Sequence, residues 1–171
     1  AEARRREAIR LNNLGAAYMN QQRFEEALQL FQQASGLDPT LFAARLNQGV
    51  AELNLQRPEP AGKILREATE REPKSVRAWY NLGLFYKSLG QVEAGDAAFA
   101  RAVELDPEDP DAHYFRATLY AQREEYESAI SAYQEALRRN PFHVSAEFGL
   151  ARAYQRRGDS ARAQEHLARF Q

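Results

Sequence analysis

The chain has 171 residues, of which 44% are hydrophobic and 27% charged, a balance that excludes a disordered tail and suffices for one globular domain. Its formal net charge of -1 lacks the basic excess that phosphate neutralisation demands, so nucleic acid is not an expected partner. Without cysteine or a long apolar run, neither disulfides, thiolate chemistry nor membrane insertion is expected. The start lacks both Met and an apolar leader, as an excised module or a processed product would.

Prolines stand at 39, 73, 107 and 141, each 34 residues after the last. A proline lacks the backbone donor and stops a helix at or before its predecessor, so four on one period predict four helix ends on one period. The chain divides accordingly into repeats 8–41, 42–75, 76–109 and 110–143 and a truncated copy, 144–171, behind an extension, 1–7. In the first copy Gly15, Ala27 and Phe31 occupy repeat positions 8, 20 and 24; the second has Gly49, Ala61 and Leu65 there, with polar Arg45, Gln48 and Glu52 at positions 4, 7 and 11 weakening its packing. The third copy is the clearest. Trp79, Leu82, Gly83 and Tyr86 form an i, i+3, i+4, i+7 stripe that predicts a first helix, A, and Gly95, Phe99 and Ala102 form another, helix B, after the turn SLGQ. The fourth copy opens with Pro107 as a helix stop, Asp109 as an N-cap and Pro110 as a helix start. It carries His113 and Arg116 at positions 4 and 7, and Ala117, Ala129 and Tyr133 at 8, 20 and 24. The fifth has Ala151, Ala163 and Leu167 at those three positions, but Phe170 where the other copies have Ala34, Ala68, Ala102 and Ala136. Small residues at 8 and 20 let the two helices approach, and a lone hairpin cannot enclose its large side chains, so neighbouring hairpins must stack.

This pattern resembles the tetratricopeptide repeat, whose W-x2-L-G-x2-Y, A-x3-F and terminal proline recur in register here. The resemblance implies an all-α, right-handed superhelical solenoid of five helix-turn-helix repeats in a single array. It further implies a protein or peptide partner, with the outward face of helix A lining a concave groove for an extended peptide or a partner helix. A pentatricopeptide RNA reader fits less well, because this period and small-residue framework are not its own.

Helix geometry places repeat positions 2, 5, 6, 9, 12 and 13 opposite the core stripe. Position 6 holds Asn13, Asn47 and Asn81 in three consecutive copies although asparagine is a mediocre helix former. Two readings stand: the amides bond the backbone of a bound peptide, or they bond the adjacent helix. Position 5 runs from Asn12 and Leu46 to Tyr80, Tyr114 and Phe148, Phe115 replaces asparagine at position 6 of the fourth copy, and Leu84 and Arg152 stand at position 9. These rings either seat apolar side chains of a partner or pack between A helices. Of the family's two-carboxylate clamp for chaperone C-termini only Asn47 and Arg77 are matched, which disfavours that ligand.

His113, His143 and His166 have no metal-ligand spacing and read as packing or surface residues. DPEDPD lacks the glycine and glutamate of a calcium loop. No catalytic constellation, cofactor motif or metal site is legible. Residues 93–135 carry eleven acids and three arginines, whereas 138–171 carry three acids and seven arginines, an asymmetry compatible with head-to-tail self-association. Leu167 and Phe170 are expected to form an apolar edge for a second copy or a neighbouring domain. The expectation is a non-catalytic protein-interaction module; the alternatives are the substrate-recruiting arm of a larger enzyme and a self-assembling scaffold.

Overall fold

The computed structural model describes residues 2–169; Phe170, half of the expected apolar edge, lies outside them. The described residues form ten helices and no strand: α1 (Glu2–Asn20), α2 (Phe24–Leu37), α3 (Phe42–Asn54), α4 (Pro58–Arg71), α5 (Val76–Ser88), α6 (Val92–Leu105), α7 (Pro110–Gln122), α8 (Tyr126–Arg139), α9 (Val144–Arg157) and α10 (Ser160–Ala168). Odd-numbered helices are the expected A helices and even-numbered ones the B helices. From the second repeat onward each A helix begins at the first residue of its repeat; α1 begins earlier and absorbs most of the extension.

Four B helices end at Leu37, Arg71, Leu105 and Arg139, two residues ahead of Pro39, Pro73, Pro107 and Pro141. The residue preceding a proline is held out of the helical region, so each helix closes just before it. Asp109 accepts a hydrogen bond from the Asp111 amide at 2.9 Å, so the DPEDPD segment is a cap between helices.

The turn from A to B is built identically in every repeat. Position 15 adopts a positive φ at Gln22 (58°), Gln56 (57°), Gly90 (69°), Glu124 (61°) and Gly158 (94°). The next amide then reaches back to the carbonyl of position 11, as in Arg23 N to Tyr18 O at 3.0 Å and Asp159 N to Tyr154 O at 2.9 Å. A left-handed residue followed by this 6→1 bond satisfies carbonyls at the helix end that would otherwise lack partners.

By backbone contacts the chain forms two compact units, residues 1–85 and 86–171, dividing within α5. In the first, Ala8, Leu11, Ala34 and Ala44 form one cluster, and Ala27, Leu28, Phe31 and Ala51 another. A Cβ placed on Gly15 would lie 2.6 Å from the Phe31 ring, and one on Gly49 would lie 2.8 Å from Ile64. Position 8 is therefore small because a large side chain of helix B lies directly against it. Glu52 marks the cost of the second copy's polar substitutions: it is buried, Arg57 approaches only to 3.6 Å, and its Oε2 accepts no hydrogen bond. The second unit is organised around Ala117, Ala129, Ile130, Tyr133, Ala146, Leu150 and Tyr154.

Candidate functional site

In residues 1–85 the expected groove residues bond one another. The Asn47 amide on α3 donates to Asn12 Oδ1 on α1 at 2.8 Å, and the Arg77 guanidinium on α5 donates to Asn47 Oδ1. Asn12 in turn donates to Asn13 Oδ1 at 3.4 Å, and Asn81 donates to the Arg77 carbonyl of its own helix at 2.7 Å. Asn47 and Asn81 are buried, Asn13 is exposed, and Tyr80 and Leu84 are half-buried. The helix-to-helix bonding that the sequence left open for the asparagines is thus present at Asn47, where the side-chain oxygen and nitrogen both have protein partners.

Residues 86–169 present a different surface. A cleft of about 430 Å³ lies between α7 and α9, walled by Tyr114, Thr118 and Gln122 on one side and Phe148, Gly149 and Arg152 on the other, with Tyr133 of α8 also lining it. Three expected groove residues, Tyr114, Phe148 and Arg152, meet here. Phe148 is 49% exposed, and the Arg152 guanidinium lies 6.0 Å from its ring centroid. Phe115 does not line the cleft: it stacks on Phe99 of α6 with centroids 5.7 Å apart and also meets the edge of Tyr114 at 4.9 Å. Leu167, 39% exposed on α10, is not part of the cleft either.

Gly149, Thr118 and Gln122 fall at positions 6, 9 and 13 of the expected groove face without having been singled out there, whereas Tyr133, at position 24 of a B helix, lies outside that expectation. Tyr133 is 4% exposed, and burial, reinforced by Tyr114, pushes its phenol from 10.0 to about 12 although Arg152 pulls the other way. The phenol is therefore a neutral O–H donor throughout the physiological range.

The histidines hold the fold. His143 caps α9 by accepting from the Ala146 amide at 3.1 Å and meets Asp111 at 3.0 Å. His113 contacts the Pro107 carbonyl at 2.9 Å, and His166 contacts buried Glu147 at 2.6 Å while stacking on Tyr154. No cluster of three or more metal-ligating side chains occurs among the described residues, and no helix there is long and apolar enough to cross a membrane.

Sequence models of the tetratricopeptide repeat match residues 8–41, 64–96, 86–144 and 120–170. The chain belongs to the tetratricopeptide-repeat family, a class of protein-interaction modules that are typically non-catalytic. No curated protein matches it significantly. Among solved structures it is similar to Pseudomonas aeruginosa pilF, with TM-score 0.87 and 19% identity over 96% of this chain and 75% of that one. It is similar also to MamA from Desulfovibrio magneticus, with TM-score 0.83 and 21% identity over 95% and 92% of the two chains. A thermophilic tetratricopeptide protein of Thermus thermophilus gives TM-score 0.81 and 21% identity over 95% and 89%. At these identities the likeness establishes the fold.

Proposed function

We propose that this chain is a non-catalytic module whose five repeats act as one array and that it holds an extended peptide against its A helices, anchored in the cleft between α7 and α9. The observation that carries this reading is the half-exposed Phe148 beside Tyr114 and Arg152 around an open cleft of about 430 Å³. Rigid aromatic rings lose little rotamer entropy on contact, and an arginine among them adds a charged donor, the composition of an interface anchor. Asn12, Asn13, Asn47, Arg77, Tyr80, Asn81 and Leu84 support the array through contacts among its A helices, and the exposed Leu167 belongs to a docking edge for a second copy or a neighbouring domain.

The test is to select end-blocked dodecapeptides from a random displayed library against the whole chain and to re-measure them on Phe148→Ser. Because Phe148 is half exposed, the substitution leaves helicity intact, and the reading expects the selected peptides to lose about tenfold or more in affinity, as when an aromatic anchor is truncated. Peptides that bind both proteins equally would place recognition elsewhere.

A further inference from the structure

Two repeat positions are to be read together along the chain. Position 24 carries Phe31, Leu65, Phe99 and Tyr133, and position 6 of the following repeat carries Asn47, Asn81, Phe115 and Gly149. The only hydroxyl at position 24 therefore enters where the facing side chain is lost. A Cβ on Gly149 would lie 2.5 Å from the Tyr133 ring and 2.8 Å from its hydroxyl oxygen. The ring thus occupies the space that a position-6 side chain would need, and it carries its hydroxyl to the cleft from a B helix.

That hydroxyl has no hydrogen-bond partner among the described residues, although its residue is only 4% exposed. The ring is buried but the hydroxyl oxygen is not sealed off from the cleft, so an acceptor on a ligand can reach it there. Arg152 is close enough for its charge to act on the phenol, and it has no carboxylate partner among the described residues. The charged residues lining the cleft are Arg152, Arg156 and Glu124, two cations and one anion, leaving a single net positive charge. One carboxylate matches that balance; a doubly charged phosphate would meet Glu124 uncompensated.

We propose that the Tyr133 hydroxyl and the Arg152 guanidinium form a subsite for an acidic side chain within an extended peptide, whose neighbouring apolar residue seats on Phe148 and Tyr114. This rests on the peptide-binding reading and adds its selectivity. Both donors are complementary to a carboxylate, and O–H···O⁻ and N⁺–H···O⁻ bonds are the strong, short class. The repeat scaffold supplies the placement: loss of the side chain at position 6 opens the face, and the phenol at position 24 reaches it.

The experiment uses three fluorescein-labelled nonapeptide series read by fluorescence polarisation. The first is blocked at both ends and has a central Asp followed by Leu or Phe. The second replaces that Asp by Asn. The third has neither acid but ends in a free carboxylate. The parent chain is expected to bind the Asp series about tenfold more tightly than the Asn series, in keeping with charge-assisted over neutral hydrogen bonding. Tyr133→Phe, which keeps the ring, and Arg152→Gln are each expected to bring the ratio of Asp-series to Asn-series affinity close to one. Thermal melting confirms that both variants fold. Equal binding of the Asp and Asn series by the parent, or a preference that survives Tyr133→Phe, overturns the subsite while leaving the peptide groove standing. A preference for the third series overturns it in favour of a chain terminus, and failure of all three series to bind removes both the subsite and the groove.

Discussion

On α1, α3 and α5 of residues 1–85, Asn12, Asn47 and Arg77 bond one another across three helices. On α7 and α9 of residues 86–169, positions 5 and 6 hold Tyr114, Phe148 and Gly149, and together with Arg152 at position 9 they line a cleft with an unpartnered phenol. One repeat architecture thus gives helix A two different outward faces, one internally bonded and one open. Where polar side chains of intermediate length recur, they span the gap between neighbouring A helices and satisfy each other. Where one of them shrinks to glycine, the gap opens and a side chain from behind shows through. The backbone repeats along the chain while the bonding of its polar side chains does not.

The largest expected effects come from position 24, where Phe31 and Tyr133 differ by one hydroxyl. Phe31 is fully buried against Gly15, so Phe31→Ala leaves a cavity that the surrounding helices cannot collapse into and costs about 3–5 kcal/mol. Tyr133→Phe removes only an unpartnered hydroxyl and changes stability near pH 7 by less than about 0.5 kcal/mol. Urea denaturation of both variants checks the contrast. A large loss from Tyr133→Phe would mean that the hydroxyl is bonded within the protein.

A second contrast of intermediate size lies at alkaline pH. Because burial raises the Tyr133 phenol from 10.0 to about 12, the folded state keeps this proton after the unfolded state has lost it. Its contribution is complete below about pH 10 and is lost as pH rises towards 12, a difference corresponding to roughly 2–3 kcal/mol. Tyr133→Phe is therefore expected to flatten the stability-against-pH curve over that window by about this amount. A curve that coincides with the parent's would contradict the burial argument.

The smallest effects fall on the turn, where the two regions are alike. Position 15 is left-handed in every repeat, at Gln22 as at Gly158, and a side chain there costs about 1–2 kcal/mol that glycine avoids. Part of that gain is returned by glycine's greater freedom in the unfolded chain. Gln22→Gly is expected to stabilise by about 0.5–1 kcal/mol, and Gly158→Ala to destabilise by about 1 kcal/mol. Melting temperatures of the two variants should move in opposite directions; a shared direction would show that the turns are not equivalent.

The fold was legible because its determinants are single residues repeated in register. Pro39, Pro73, Pro107 and Pro141 each mark a helix end two residues upstream, and Gly15 and Gly49 mark the close approaches. The left-handed turn position was not read, since Gln22, Gln56 and Glu124 carry no glycine signal and adopt positive φ through the 6→1 bond that follows. At the candidate site the recurrence of Asn13, Asn47 and Asn81 was visible, but an amide both donates and accepts, and the sequence does not show to whom. Tyr114, Phe148 and Arg152 were reached by counting along helix A. Tyr133 was not, because it stands at position 24 of a B helix and meets the cleft only through Gly149 at position 6 of the next repeat, a relation that neither residue shows when read alone.

Whether the chain binds through α7 and α9, with the asparagine relay of α1, α3 and α5 internally satisfied, is tested most directly by mapping. An amide NMR spectrum of the isotope-labelled chain would be titrated with the tightest end-blocked Asp peptide. Shifts are expected to concentrate at Tyr114, Tyr133, Phe148, Gly149 and Arg152, with Asn12, Asn47 and Arg77 unmoved. Shifts concentrated at Asn12, Asn47 and Arg77, with the cleft residues silent, would contradict it.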